Sequence, residues 1–231
     1  MSAINTSVFN PNCKDCHRLA SFLVQTGQKY PDYHCAPVAP FGDPGGRLLI
    51  VGLAPGMHGA NATGRPFTGD FAGILLYRTL FEFGYSNRPE STARDDDLEL
   101  YNCRITNAVK CLPPQNKPRP DEIRQCNFYL RNELAQLPGG SVIIGLGKIA
   151  HDAVLRALGL RLASYPFGHG HSHRLADGNL LVDSYHCSRY NTQTGRLTGE
   201  MFTGIFQHVS KLVEPRAAKS SEASRYREVR K

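Results

Sequence analysis

Short apolar runs alternate along the chain with longer segments in which apolar residues recur at helical spacing. The apolar runs, each the length of one buried strand, lie at 47–53, 103–109, 141–147 and 179–186. The segments with helical spacing lie at 18–30, 72–84, 121–137, 148–159 and 198–213. This alternation predicts an α/β protein with a parallel sheet that is covered by helices on both faces.

Ligands of such sheets bind at the carboxyl ends of the strands, so the segments that follow the apolar runs are the place to look for a site. These segments are VGLAPGMHGANATGRPFTGD (51–70), TNAVKC (106–111), GLGK (145–148) and SYHCSRYNTQTGRLT (184–198). The first is rich in glycine, which allows its backbone to approach a ligand closely and to point N–H groups toward it. It contains neither G-K-[ST] nor G-x-G-x-x-G, so its spacing gives little support for a nucleotide-phosphate site.

The 231-residue chain suits one domain with a full hydrophobic core, and its net charge of +7 favours an anionic partner. Six basic and two acidic residues lie within 215–231. We expect a single domain over residues 1–213 and a flexible basic tail over 214–231 that adds non-specific affinity for phosphates. The alternative is a solvated tail without a role.

No apolar run approaches the ~18 residues that a membrane span requires, and the start of the chain lacks the pattern of a secretory signal. We therefore expect a cytoplasmic monomer that does not contact the membrane. In that compartment disulfides are rare, and clustered cysteines more often bind metal.

Cys13 and Cys16 form the pattern C-x-x-C-H, which is used by covalent haem, by dithiol redox pairs and by metal sites. Haem attachment is disfavoured without a secretory signal, and a redox pair is expected after the first strand rather than before it. Cys111 and Cys126 supply two further thiols, so the four cysteines could hold a zinc ion or an iron–sulfur cluster; their spacing does not decide between them. The alternating histidines of FGHGHSHR (167–174) are interpreted as a solvent-exposed loop rather than a metal site.

Three segments together resemble uracil-DNA glycosylases, most closely the type B, or family 5, branch. GLAPGMHGANATGRPFTGD and HCSRYNTQTGRLT resemble the two signature motifs of these enzymes, and ITNAVKCLPPQNKPRPDEIRQC resembles the region between them. The resemblance extends from Cys13 to about Val213. It implies a three-layer α/β/α sandwich with a central four-stranded parallel sheet. It also implies a structural [4Fe–4S] cluster held by Cys13, Cys16, Cys111 and Cys126.

The function implied by the resemblance is repair of DNA that contains deaminated bases. Such an enzyme hydrolyses the N-glycosidic bond of uracil, and in this branch of other deaminated bases such as hypoxanthine or xanthine, and leaves an abasic site. The base is flipped out of the helix, and the bond breaks through an oxocarbenium cation and a base anion. We expect the protein to associate with the nucleoid through this DNA. The alternative is a non-catalytic DNA-binding module of the same fold with a structural metal site.

The resemblance also assigns roles to residues around the base. His186 would donate a hydrogen bond to the charge that develops on uracil O2, Phe67 would stack on the flipped base, and Asn107 would read the base edge. Backbone N–H groups between Gly52 and Gly56 would face the base.

The least settled role is that of the group that positions the attacking water. Other branches of the family place an Asp or Asn where this chain has Ala54, and the small side chain there would leave a roomier pocket. Asn61 is the first candidate for positioning the water and Asp70 the second, although a helix N-cap is the favoured interpretation of Asp70.

The segment from Ser188 to Thr198 resembles the loop that enters the DNA minor groove and fills the gap left by the flipped base. The residues expected to contact DNA are Ser188, Arg189, Tyr190, Asn191 and Arg196.

Overall fold

The computed structural model describes residues 9–215, in which six strands form one sheet. The strands are β1 Phe41–Gly42, β2 Leu48–Gly52, β3 Cys103–Asn107, β4 Val142–Leu146, β5 Ser172–Arg174 and β6 Leu180–Ser184, in the spatial order β1-β3-β2-β4-β6-β5. The four central strands are parallel and correspond to the four apolar runs of the sequence, which confirms the predicted α/β class.

Two short edge strands correct the expected four-stranded sheet. β1 pairs antiparallel with β3, and β5 pairs antiparallel with β6. Neither edge strand contains a run of apolar residues, because β1 has two residues and β5 reads Ser-His-Arg. β5 also lies inside the histidine-rich segment, which is therefore partly sheet rather than a loop throughout.

Seven helices lie in the part of the chain that the structure describes. They are α1 His17–Lys29, α2 Ala60–Thr63, α3 Phe71–Glu82, α4 Pro120–Ala135, α5 Lys148–Ala157, α6 Arg189–Gln193 and α7 Gly199–Val209. α3 and α7 pack on one face of the sheet in the largest apolar cluster, and α4 and α5 pack on the other face. This arrangement is the expected α/β/α sandwich.

Strand register brings the carboxyl ends of the central strands to one edge. Gly52 at the end of β2 pairs with Asn107 at the end of β3, and Leu146 at the end of β4 pairs with Ser184 at the end of β6. His186 follows two residues after Ser184. The sheet alone therefore places the glycine-rich loop, Asn107 and His186 on the same side of the molecule.

A third apolar cluster joins α1 to the start of α4. Leu19 and Leu23 of α1 contact the segment that contains Cys111 and Leu112, so the N-terminal helix is packed against residues that follow β3. None of the helices within 9–215 has the length and apolar character that crossing a membrane would require. The basic tail lies outside the described residues from position 216 onward.

Candidate active site

Gly52 lies on the wall of the candidate base pocket, where two side chains leave no room for a larger residue. A Cβ atom at Gly52 would lie 2.4 Å from Asn107 Oδ1 and 2.7 Å from the ring of Phe67. Both side chains are buried, so neither can move into solvent to make room. The contact between these three residues fixes the spacing between the second strand, the third strand and the glycine-rich loop.

Phe67 and His186 stack at the same pocket although they lie far apart in sequence. Their ring centroids are 5.9 Å apart and the planes are tilted by 26°. The backbone of Phe67 has a φ of 54°, a left-handed conformation that is costly for a bulky residue. Strain of this kind is retained when the surrounding structure enforces it, and it is found preferentially at functional sites.

Arg65 enforces the conformation of the loop that carries Phe67. The guanidinium is 4% exposed and donates hydrogen bonds to Thr68 Oγ1 at 2.9 Å, Ser91 Oγ at 2.8 Å and Asp96 Oδ1 at 2.6 Å. Burial raises the pKa of the Asp96 carboxyl, but hydrogen bonds from Arg65 and from backbone N–H groups outweigh this and hold the pKa below its usual range. The polar segment at 85–101, which contains Ser91 and Asp96, thus holds the loop of Phe67 in place through Arg65.

Two polar atoms in the pocket are buried and make no hydrogen bond among the described residues, namely Asn107 Oδ1 and His186 Nδ1. Leaving a buried polar atom without a partner costs about 1–3 kcal/mol, so such pairs of atoms mark a place where a ligand supplies the missing bonds. Burial lowers the pKa of His186 from its usual value to about 4. The imidazole is therefore neutral at pH 7 and can both donate and accept.

The loop after β6 lies beside this pocket and is tied to His186. Asn191 Nδ2 donates a hydrogen bond of 2.8 Å to the carbonyl of His186, and Ser188 caps α6 through the N–H of Asn191. The Arg196 guanidinium lies 4.8 Å from the centroid of the Tyr185 ring, next to His186 in sequence. On the other side, the Arg189 guanidinium lies 5.1 Å from the ring of Phe71, at the start of α3.

This loop presents a chemically distinct surface. Tyr190 is 69% exposed, and Arg189 and Arg196 are exposed as well. An exposed aromatic ring on a loop that also carries two exposed guanidinium groups offers stacking to a base and charge to phosphates.

The four cysteines Cys13, Cys16, Cys111 and Cys126 lie close enough to influence one another. Burial, followed by the charges of neighbouring groups that include Cys126 and Cys13, raises the pKa of Cys16 to about 11. Burial and the other three thiols also raise the pKa of Cys111. Four thiolates at this spacing need a cation to stabilise them, which fits a metal centre.

Their spacing is wider than a single zinc ion requires. Zinc–sulfur bonds of about 2.3 Å would place tetrahedral sulfur ligands about 3.8 Å apart. Within residues 9–215, the one group of three ligand atoms that all lie within 4.8 Å of one another is His151, His173 and Asp183, not the cysteines. The donor set is all sulfur, and no three of its sulfur atoms lie as close together as ligands of one zinc ion would.

This group is better described as a buried ion pair between His151 and Asp183, with His173 as a neighbour of Asp183. His151 Nδ1 lies 2.6 Å from Asp183 Oδ1, and its Nε2 lies 2.8 Å from the carbonyl of Tyr165, so both nitrogens face acceptors. Burial lowers the pKa of His151, but the hydrogen bond to Asp183 and its charge outweigh this and raise the pKa above its usual value. A gap of 2.6 Å holds a proton rather than a metal ion between the two groups.

Comparisons with known proteins agree with this geometry. The sequence profile of the uracil DNA glycosylase superfamily matches residues 39–210, which include the whole pocket. The chain belongs to the uracil-DNA glycosylase superfamily.

Relatives place it in the type-5 family of these glycosylases. The type-5 uracil-DNA glycosylase of Thermus thermophilus is 47% identical over 205 residues, which cover 87% of this chain and 93% of that protein. The enzyme of the same name from Pyrobaculum aerophilum is 41% identical over 203 residues, covering 86% and 88%. The one from Mycobacterium leprae is 39% identical over 208 residues, covering 87% and 91%. The predicted resemblance is therefore confirmed.

The two candidates for positioning the water, Asn61 and Asp70, lie in different surroundings. Asn61 is fully buried on α2, where its Nδ2 donates to Cys35 Sγ at 3.6 Å, while its Oδ1 has no hydrogen-bond partner among the described residues. Asp70 caps α3 by accepting from the N–H of Gly73 at 2.8 Å, the interpretation that the sequence favoured. Its second oxygen, Oδ2, lies 3.7 Å from where a Cβ of Gly56 would be.

Sequence reasoning missed the buried charges that support the glycosylase pocket. Arg65 lies within the glycine-rich segment and pairs with Asp96, which lies in the polar segment at 85–101. Lys110 and Glu133, which form a second buried ion pair at 2.7 Å, were not singled out at all. Their partners lie 23 to 31 residues away along the chain. No local pattern in the sequence indicates such pairs.

Proposed function

We propose that the protein is a uracil-DNA glycosylase that hydrolyses the N-glycosidic bond of uracil in DNA and leaves an abasic site. The observation that carries the proposal is the pair of buried, unpartnered polar atoms, Asn107 Oδ1 and His186 Nδ1, beside the ring of Phe67. A flat base with hydrogen-bonding groups along its edge matches such a pocket. The names of the type-5 relatives support the same reaction.

Uracil reaches the pocket by leaving the base stack, since the glycosidic bond cannot be approached inside the duplex. The ring of Phe67 then provides a stacking surface, and the Asn107 amide offers an acceptor and donors to the base edge. The contact of Gly52 with both residues sets the depth of the pocket. Ala54, which bears only a methyl group, leaves room for bases larger than uracil, so hypoxanthine and xanthine are expected as further substrates.

Bond cleavage requires stabilisation of charge more than a nucleophile from the protein. As the bond between C1′ and N1 breaks, its electron pair stays on the base and C1′ becomes cationic; water then adds to C1′ and loses a proton. Neutral His186 donates a hydrogen bond to the oxygen of uracil on which the negative charge develops. Because the imidazole is neutral before the reaction, it does not need to lose a proton to fill this role.

Asn61 is our candidate for positioning the attacking water. Its Oδ1 is buried and lacks a partner among the described residues, so it is available to accept a hydrogen bond from water. Asp70 is less suited to this role because one carboxylate oxygen already caps α3. Burial raises the pKa of Asp70 despite the backbone hydrogen bonds that it accepts, which further reduces its value as a charged base.

The loop that contains α6 is proposed to hold DNA while the base is flipped. Arg189 and Arg196 would contact phosphates and Tyr190 would occupy the space that the base leaves, roles that the exposure of all three side chains supports. Ser188 and Asn191 order this loop against His186, as their hydrogen bonds indicate. DNA that contains deaminated bases is therefore the partner that we propose, and a monomeric, cytoplasmic protein remains our expectation.

Cys13, Cys16, Cys111 and Cys126 are proposed to hold a [4Fe–4S] cluster. Bound there, the cluster would supply iron–thiolate bonds that join the N-terminal segment to the segment after β3 and to α4. We assign it a structural role, because the base pocket is built from other residues.

A panel of single-lesion duplexes tests the proposal. Wild-type protein is incubated with duplexes that contain one uracil, hypoxanthine, xanthine or thymine, and abasic sites are revealed by alkaline strand cleavage. We expect cleavage at uracil and at the larger deaminated bases, and none at thymine. Binding to the uracil duplex without cleavage at any lesion would instead support the non-catalytic DNA-binding alternative.

A further inference from the structure

Lys110 is a buried cation that the proposed reaction does not use. Its side chain is 1% exposed, and its ammonium lies 2.7 Å from Glu133 Oε1. The ammonium also donates to the carbonyl of Asn107 at 2.9 Å and to the hydroxyl of Thr106. The ammonium thus makes two hydrogen bonds to oxygen atoms of β3 and an ion pair with Glu133.

A buried lysine in this position is unfavourable by itself, because removing an ammonium and a carboxylate from water carries a large desolvation penalty for each ion. A buried ion pair is often no more stabilising than a pair of well-packed apolar residues. Within the described residues, neither carboxylate oxygen of Glu133 accepts a hydrogen bond with good geometry, so the nearby ammonium is what offsets its burial. Stability alone is therefore a weak explanation for this pair.

The geometry offers a second explanation, which concerns Asn107. The ammonium holds two consecutive residues, Thr106 and Asn107, at the point where β3 ends and the pocket begins. The side-chain oxygen of Asn107 has no partner of its own among the described residues. The direction of this amide therefore depends on how firmly its backbone is held, and Lys110 is bonded to that backbone.

Lys110 also contacts α4 at two points, which connects the pocket to the cysteines. Its side chain reaches Glu133, and its backbone N–H lies 3.2 Å from Cys126 Sγ as a donor. Cys126 and Glu133 are two turns apart on α4 and so face the same side of that helix. One residue thus joins the end of β3 to the helix that carries a cysteine of the cluster.

We propose that Lys110, paired with Glu133, is a positioning residue that orients Asn107 for base recognition by fixing the end of β3 against α4. The inference rests on the proposed function, since it assumes that Asn107 reads the base. It predicts that the ion pair affects uracil recognition and release only through Asn107.

A double-mutant cycle tests this. The variant Lys110→Met/Glu133→Gln removes both charges together, which avoids leaving one buried ion unpaired if Lys110→Met alone fails to fold. It is measured in the wild-type background and in the Asn107→Ala background, with the exposed pair Lys148→Met/Asp152→Asn on α5 as the matched control. Two quantities are measured: the single-turnover rate of uracil release with enzyme in excess, and the affinity for a duplex with uncleavable 2′-fluoro-deoxyuridine relative to thymidine.

We expect the double variant to lose on the order of tenfold to a hundredfold in rate and to lose preference for the uracil analogue in the wild-type background. In the Asn107→Ala background the same substitutions should change both quantities by less than about twofold, because coupled residues are not additive. Iron content and Tm should remain those of the parent protein, and the control pair should change nothing.

Two results would overturn the inference, and they differ from each other. Equal losses in both backgrounds would show that the ion pair does not act through Asn107, while the proposed function stands. No uracil release by wild-type protein would contradict the proposed function, and the inference with it.

Discussion

The base pocket and the cysteine cluster are built in different ways. Gly52 and Asn107 are paired neighbours in the sheet, so strand register alone brings them together. Cys13, Cys111 and Cys126 come from a segment before α1, a segment after β3 and the middle of α4, which no strand pairing connects. The first site is held by strand register, whereas the second lies where α1 packs against the segment after β3 and against α4, and a bound group would add further links between these segments.

Because of this difference, we expect the pocket to determine the rate of base release and the cysteines to determine the unfolding temperature. Substitutions in the pocket should slow base release and leave the unfolding temperature nearly unchanged. Substitutions of the cysteines should lower the unfolding temperature and affect base release less. The predictions that follow test this separation, from the largest effect on rate to the smallest.

Replacing His186 by Ala should have the largest effect on the reaction. Loss of one hydrogen-bond donor to a developing anion typically costs about 100-fold to 1,000-fold in rate, and we expect that range for single-turnover uracil release. The matched control is His171→Ala, since His171 is exposed in the same half of the chain. Wild-type rates in His186→Ala would remove this residue from the mechanism.

Gly52→Ala should lower the rate of uracil release by on the order of tenfold to a hundredfold. The new methyl group would lie 2.4 Å from Asn107 Oδ1 and must displace the amide that reads the base. Gly139→Ala is the control, because a Cβ there meets no atom within 4 Å. If both variants released uracil equally fast, the pocket would not be where the base binds.

Cys126→Ser should remove iron and lower the Tm, with a smaller effect on the rate at temperatures well below that Tm. We expect less than about a tenfold change, because these cysteines are not among the pocket residues and the proposed cluster would act on the pocket only through α4. Cys35→Ser is the control for iron content alone, because Cys35 Sγ accepts the hydrogen bond of Asn61, and it should keep its iron. A fall in rate as large as that of His186→Ala, in a folded protein, would break the separation between the two sites.

The pH profile should show the smallest effect. Because burial lowers the pKa of His186 to about 4 in the folded protein, the imidazole stays neutral as the pH falls from 7.5 to about 5.5. Uracil release should therefore not decline near pH 6.5, where an ordinary histidine titrates. A rate that follows a pKa near 6.5 would contradict the burial of this residue.

The same pKa predicts a change in stability with a definite sign. In the unfolded chain His186 binds a proton near pH 6.5, whereas in the folded protein it binds one only near pH 4. The stability that neutral His186 allows is therefore fully present above pH 6.5. That contribution is lost as the pH falls from about 6.5 toward 4. Denaturant unfolding of wild type and His186→Gln at several pH values isolates it, because only the wild type should lose this part of its stability.

Much of the fold was predictable because its central strands are short, mostly apolar segments. All residues of β2 and β4 are buried, and β3 and β6 each have only one residue that is partly exposed. The edge strands were not predictable, because β1 contains only Phe41 and Gly42 and is defined by its partner β3. Its hydrogen bonds depend on tertiary placement rather than on local composition.

The residues of the candidate site were named from motifs, but their support was not visible in the sequence. The stacking of Phe67 on His186 and the contact of Asn107 with Gly52 follow from strand order, which a motif does not reveal. The left-handed backbone of Phe67 has no sequence signal, since bulky residues rarely adopt it.

The central claim is that the strand-end pocket, rather than the cysteine cluster, reads the base. Its most direct test is the single-turnover rate of uracil release by Asn107→Ala, with the iron content measured in the same sample. Losing a hydrogen-bonding group that reads a substrate costs about 1–3 kcal/mol, so we predict a rate lower by about tenfold to a hundredfold with iron content equal to that of the wild type. Uracil release at the wild-type rate by this variant would contradict the account.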